Sequence, residues 1–328
     1  MSKKQAKQFP TCDKVAVGID VAQDTLAIHI APEGVHFETT NDPAGFNSII
    51  DRIKPFNPEL VIMEGTGGLE TNLAITLNEV GLPVAIVNPR QVRGFASGLG
   101  YRAKTDAIDA EVLALFAQVA PIQPRTIPDE QGRRLKELVA RRNQLVGMRD
   151  AESNRLRNTV TPEILASIRF LLQTLKQQIA EIDREVNNTI KSSPLWNDSD
   201  KLLQSVKGIG KVIASILLSK LPELGRLNRR EIAALAGLAP YNKDSGKKEG
   251  YRCISGGRSD VRRALYLATL TAKKWNPVIK TYYNHLINDG HKKPKVAMVA
   301  CMRKLLIILN AMMKQKIATS NLIVAVSY

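Results

Sequence analysis

Cysteine is scarce: Cys12, Cys253 and Cys301 are the only three in 328 residues. Their wide spacing makes neither a CxxC metal knuckle nor a disulfide framework. Aromatic residues are 5% of the chain, so no stacking platform for single-stranded nucleic acid is evident. Long apolar runs are missing too. The most apolar stretch, LLIILNAMM from Leu305, is short and follows Arg303 and Lys304, against the roughly 20 residues of a bilayer span. The basic start, MSKKQAKQFP, lacks the apolar core of a secretion signal. These absences predict a soluble protein of a reducing cytoplasm with no membrane partner.

Acidic residues are scarce in one part only. Residues 1–124 hold 10 Lys+Arg and 14 Asp+Glu, a net charge of −4. Residues 125–200 hold 13 and 11, net +2, and residues 201–328 hold 24 and 6, net +18. The total of +16 therefore sits almost wholly in the last part. A segregated positive charge points to a polyanion partner, because neutralising phosphates releases counterions. Hydrophobic content of 44% and charged content of 24% are globular values. The length exceeds one comfortable core, so two domains and a connector are expected.

The first part alternates strand and helix patterns. Val15–Ala22 and Thr25–Ala31 read as a hairpin, and VHFETT (Val35–Thr40) follows a Glu33-Gly34 turn. AGFNSIIDRI has helical spacing, ELVIMEG is a continuous apolar strand, LETNLAITLNEVG is a helix, and PVAIVNP is a second buried strand. A loop then leads to the helix Thr105–Gln118. A three-stranded meander followed by αβαβα is the order of the ribonuclease H-like fold. Between Asp129 and Ile190 the pattern is long-helical, with a break at Thr161-Pro162. Its narrow apolar seam (Ile168, Leu171, Leu175, Ile179, Ile182, Val186) predicts an antiparallel hairpin or an intermolecular coiled coil, and the same pattern equally suits a single helix packed on its own domain. The last part is mainly helical. The expected division is an α/β domain over 1–124, a helical arm over 125–200 and a basic α domain over 201–328.

Three constellations carry chemistry. Asp20 ends the first strand and Glu64 the fourth, which are neighbours in this fold, so both carboxylates reach one sheet edge. Asp106 and Asp109 in KTDAIDA stand at i and i+3, on one helix face. Four converging carboxylates repel unless a hard divalent cation holds them; Mg²⁺ suits such oxygen ligands, and Mn²⁺ is the alternative. The same acids also suit a strand-end turn and a helix N-terminus. KGIGK, with Lys207, Gly208, Gly210 and Lys211, is similar to the helix-hairpin-helix element that grips nucleic-acid backbones. A glycine turn that lets two helices pack closely remains its plainer reading. The loop Gly237–Tyr266 holds Ser245 and Ser255 among Lys247, Lys248, Arg252, Arg258, Arg262 and Arg263. A serine there has cations to stabilise a developing phosphoryl charge, although a serine before glycine is ordinarily turn material.

From GIDVAQDTL through MEGTGGLE, VNPRQVRGFA, KTDAIDA, GIGKVIA, GLAPYNKDSG and GGRSDVRRALY to ACMRKLL, nearly the whole chain resembles one family. This is the bacterial insertion-sequence transposases with a DEDD, RuvC-like domain and a serine-containing C-terminal domain, the bridge-RNA-guided recombinases related to the Piv DNA invertase. The resemblance implies catalytic and metal-binding roles for Asp20, Glu64, Asp106 and Asp109. It implies Ser245 as a nucleophile that forms a phosphoserine link to DNA. It further implies Mg²⁺, donor and target DNA, a structured non-coding guide RNA, a nucleoid-associated location, and a homodimer that becomes a tetramer on nucleic acid.

Three other readings compete. A junction resolvase would use the carboxylates with water as nucleophile. An actin-like sugar kinase would explain GID and the later GTGG, but it requires a second ribonuclease H-like half, and the C-terminal part lacks strand patterns. A non-catalytic RNA-binding protein would not need the acids.

Overall fold

Apolar residues alternate with a period of two from Ala16 to Ile30, and both faces of the resulting strands are covered. In the computed structural model, which describes residues 14–101, 103, 105–124, 129–242, 250 and 252–316, they form β1 (Ala16–Val21) and β2 (Thr25–Ala31). β3 (Val35–Thr40), β4 (Leu60–Glu64) and β5 (Val84–Val87) complete a five-stranded sheet of order β3-β2-β1-β4-β5. β1, β2 and β3 form the antiparallel meander, and β4 and β5 add in parallel. This is the ribonuclease H-like order that the strand pattern predicts.

Helices cover the two faces. α1 (Pro43–Ile53) is capped by Asp42, whose carboxylate accepts from Gly45 N at 2.8 Å. With α2 (Thr71–Glu79) it packs on the odd-numbered residues Val17, Ile19, Val61 and Met63. The even-numbered residues Ala16, Leu60 and Ile62 pack under α3 (Pro89–Gly98) and α4 (Asp106–Val119). The sequence pattern predicts a loop where α3 stands. Pro89 closes the preceding strand but also occupies the first helical turn, and Asn88 caps it by accepting from Arg90 N at 2.9 Å.

The chain divides into two compact units, Met1–Ile127 and Pro128–Tyr328. The second opens with the antiparallel hairpin of α5 (Glu130–Asn158) and α6 (Pro162–Ser192). Arg142 and Asp183 pair across it at 2.5 Å, and Arg134 and Glu185 at 2.8 Å. Leu145, Leu175 and Ile179 fill its middle. At its base, Leu135, Val139, Val186 and Ile190 share a core with Ile216 and Ala264 of the following bundle.

That bundle comprises α7 (Pro194–Gln204), α8 (Lys211–Lys220), α9 (Arg229–Leu235), α10 (Ser259–Trp275), α11 (Pro277–Asn288) and α12 (Pro294–Gln315). A two-stranded ribbon of β6 (Pro240–Tyr241) and β7 (Cys253–Ile254) joins α9 to α10. By length and composition alone, α12, with 22 residues, is apolar enough to cross a membrane. Here it is the central core helix, with Cys301, Leu305, Leu306 and Leu309 fully buried.

Candidate active site and nucleic-acid interface

The register of β1 on β4 pairs Ile19 with Met63, so Asp20 and Glu64 follow side by side at the carboxyl ends of two parallel strands. Both are half-buried, on the even-numbered face that α4 covers. Strand polarity alone carries two carboxylates to that edge.

α4 brings the second pair. Gln118, near its C-terminus, donates to Lys14 O at 2.9 Å, at the start of β1. α4 therefore runs antiparallel to β1, and its first turn, with Asp106 and Asp109, lies toward the Asp20–Glu64 edge. The close approach needs Gly18. A Cβ there would stand 2.1 Å from Ala110 O and 2.4 Å from Ala114 N, both backbone atoms. Thr105 caps the helix by accepting from Ile108 N at 3.3 Å. Asp106 is exposed and Asp109 half-buried. Among the described residues, no three His, Cys, Asp or Glu side chains stand close enough together to hold a metal ion. The fold supplies two acidic pairs facing one edge, and their all-carboxylate oxygen chemistry suits a hard divalent cation.

Two acids beside this edge are not evident from the sequence. Glu70, buried at 8% exposure, lies six residues after Glu64. Its Oε2 accepts from Thr66 Oγ1 at 2.7 Å, Gly68 N at 3.0 Å and Thr66 N at 3.2 Å. Burial pushes its carboxyl up, but these donors outweigh burial and hold it below the usual carboxylate range. Glu111 on α4 accepts from the Tyr101 hydroxyl at 3.2 Å. It also lies near His29, which burial holds below the ordinary imidazole value; Glu111 raises it and His36 lowers it further. A carboxylate just before a helix, following GTGG, is the only signal for Glu70.

In the second unit, α7 and α8 are joined by the KGIGK turn. Lys207, Gly210 and Lys211 are exposed there and Ile209 is buried. Gly208, at φ 111°, is pressed onto α10: a Cβ would meet Ala268 O at 2.8 Å and Ala272 N at 3.0 Å. Its missing side chain lets the turn pack closely on α10. Just before the turn, Asp200 Oδ1 is buried without a hydrogen-bond partner among the described residues. Burial pushes this carboxyl up, while Gln204 and Lys211 pull it down.

Ser245, Lys247 and Lys248 lie outside the described residues. The ribbon that leads to them is anchored at its base. Arg258 makes a two-pronged bond to Glu223 at 2.5 and 2.6 Å, and donates to Lys220 O at 2.9 Å. Arg262 donates to Gly256 O at 2.6 Å. Gly237 and Gly257, both at positive φ, cross so closely that a Cβ on Gly257 would stand 2.1 Å from Gly237 N. The guanidinium groups of Arg258 and Arg262 thus hold the base of the ribbon within the unit. Arg263, Arg252 and Ser255 are exposed.

Two family models match the chain. One, described as "Transposase", covers residues 17–164, and a second, "Transposase IS116/IS110/IS902 family", covers 200–284. The chain is 27% identical over 316 residues to the "Pilin gene-inverting protein" of Moraxella bovis, covering 92% of this chain and 96% of that one. It is 26% identical over 239 residues to the "Transposase for insertion sequence element IS1328" of Yersinia enterocolitica, covering 63% and 69%. Among solved structures, the T. thermophilus RuvC in complex with a Holliday junction substrate matches 34% of this chain and 99% of its own, at 17% identity and a TM-score of 0.27.

Proposed function

The chain belongs to the IS110/IS116 transposase family, related to the pilin gene-inverting proteins, and from that premise we propose that it is a DNA recombinase that cleaves and rejoins strands by serine attack at an acidic, metal-assisted edge. The observation that carries this reading is the placement of Asp20 and Glu64 on adjacent parallel strands, with the acidic first turn of α4 directed to the same edge.

In this reading Asp20, Glu64, Asp106 and Asp109 hold a divalent cation, Mg²⁺ with Mn²⁺ as substitute. A bound cation supplies Lewis-acid stabilisation of phosphoryl oxygens. The protein's own part begins with the carboxylates: they would hold that cation at the sheet edge, because four anions by themselves repel the scissile phosphate. The Ser245 hydroxyl then attacks phosphorus. A serine ester to DNA forms as the bridging P–O bond to the leaving strand breaks, and the leaving oxygen takes up a proton. Attack by a second strand's hydroxyl restores the serine. Lys247 and Lys248 neutralise the charge that develops, and Lys207, Lys211 and Arg263 grip the backbone outside the reacting bond.

The remaining roles follow the family reading. A structured non-coding RNA selects donor and target by base pairing, and the α5–α6 hairpin joins two copies. The protein works in the cytoplasm on nucleoid DNA.

Incubating the full-length protein with labelled DNA and Mg²⁺ tests the reading. A covalent protein–DNA adduct is expected, absent in Ser245→Ala and in Glu64→Ala. Undiminished cutting by Ser245→Ala would instead support a resolvase that uses water.

A further inference from the structure

The GTGG segment that follows Glu64 has no role in the chemistry above. Gly65 N donates to Val87 O at 3.0 Å, which ties the start of the segment to β5. Beyond it, Gly67 (φ 94°) and Gly68 (φ 142°) adopt backbone that side chains rarely take. A Cβ on either would meet nothing within 4 Å, so glycine here answers to conformation and leaves the backbone bare toward solvent. The segment turns around one atom. Glu70 Oε2 accepts from the Thr66 hydroxyl, Thr66 N and Gly68 N at 2.7–3.2 Å. Thr71 N bonds back to Gly68 O at 3.0 Å, closing the turn into α2.

We propose that Glu70 is a positioning residue for the acidic edge: its buried carboxylate locks residues 65–69 so that Glu64 keeps its place and the bare glycine backbone lies open to a DNA strand. The proposal rests on the reading of Glu64 as a site residue. Its physical basis is local. A short segment rich in glycine has many conformations, and a carboxylate with three donors on one oxygen selects one of them. A ligand carried next to such a segment moves if the segment relaxes. Displacements of about 1 Å at a reacting centre cost roughly a hundredfold in rate. The bare glycines keep bulk away from the edge, which suits approach by a sugar–phosphate backbone.

The carboxylate acts here as an acceptor, not as a further metal ligand, and this separates two variants. Glu70→Gln retains one carbonyl oxygen whose two lone pairs can still accept from the Thr66 hydroxyl and Gly68 N; Glu70→Ala retains no acceptor. The experiment measures two properties of the full-length protein at a temperature where every variant is folded: amide hydrogen exchange across residues 65–70, and strand cleavage as a function of Mg²⁺ concentration. Glu64→Ala serves as reference. Glu70→Ala is expected to lose amide protection at Thr66 and Gly68. It should also need at least tenfold more Mg²⁺ for half-maximal cleavage, or cleave at least tenfold more slowly. Glu70→Gln should stay within about threefold of the parent on both measures.

Two results would overturn the proposal: unchanged exchange and cleavage in Glu70→Ala, or Glu70→Gln as impaired in cleavage as Glu70→Ala, which would make the charge itself the functional feature. If Glu70→Ala does not fold, Thr66→Val, which removes only the hydroxyl donor, takes its place; a partial loss on both measures supports the proposal and no change overturns it. Full cleavage by Glu64→Ala would refute the reading of the edge, and the exchange data would still decide whether Glu70 holds the segment.

Discussion

Gly18 and His29 face each other across β1 and β2, under α4, on the same face as Asp20. At Gly18 the missing carbon lets a helix backbone lie directly on the strand. At His29 the cost of that closeness is a desolvated imidazole, favoured neutral in the folded protein. The sign follows from proton binding. Below its ordinary value of 6.5 the unfolded chain takes up a proton that the folded one resists until a lower pH. Stability of the first unit is therefore full above pH 6.5 and falls as pH drops through that value toward the folded pKa. The expected result is a thermal midpoint that declines between about pH 7 and pH 5.5, with a shallower decline in His29→Gln, read by melting curves across that range. Glu111 and His36 also face this imidazole, so each substitution there shifts the same curve. At this scale legibility is uneven. Asp20 and Glu64 are readable because strand ends are marked by local pattern. The engagement of Arg258 is not, because its partner Glu223 is 35 residues away and nothing local pairs them. Glu70 is hidden because its carboxylate bonds to donors of a loop with no periodic pattern.

Among the elements, the α5–α6 hairpin changes character along its length. Its base is sealed by Val139, Val186 and Ile190 against the bundle. Toward the turn, Val160 is 88% exposed and Phe170 73%, with Met148, Ile164 and Leu171 also exposed. These exposed apolar residues suit association with a second copy, whereas the seam residues Ile168, Leu175, Ile179 and Val186 are buried. Phe170→Glu combined with Leu171→Glu is expected to shift the protein toward monomer in analytical ultracentrifugation while leaving the melting temperature nearly unchanged; an unaltered sedimentation profile counts against the hairpin as the dimer contact. The helices themselves are legible, since their stripes recur every three or four residues. Helix α3 is not. Its ten residues, PRQVRGFASG, bury only Val92, so no stripe marks it, and its signature is the Asn88–Pro89 start alone.

For the whole molecule, charge is the organising quantity. The acidic first part, at −4, carries the proposed cation ligands, and the last part, at +18, the proposed phosphate grip. Binding of the full-length protein to duplex DNA is therefore expected to weaken steeply with salt. The slope of log K against log salt falls by about 0.9 for each phosphate the protein ceases to neutralise. Replacing Lys207 and Lys211 with Ala should reduce the slope by roughly 1.8, measured by fluorescence anisotropy between low and physiological salt. An unchanged slope removes the KGIGK turn from the interface. The sequence by itself determined the strand order, the helical hairpin and the segregation of charge, because periodicity and composition are local properties of the chain. Only the tertiary structure decided that α4 runs antiparallel to β1, that Gly208 serves packing, that Arg258 is engaged by Glu223, and that Glu70 accepts from the segment after Glu64. Each of these depends on which distant backbone comes within hydrogen-bond or van der Waals range, and that is set by packing across the fold.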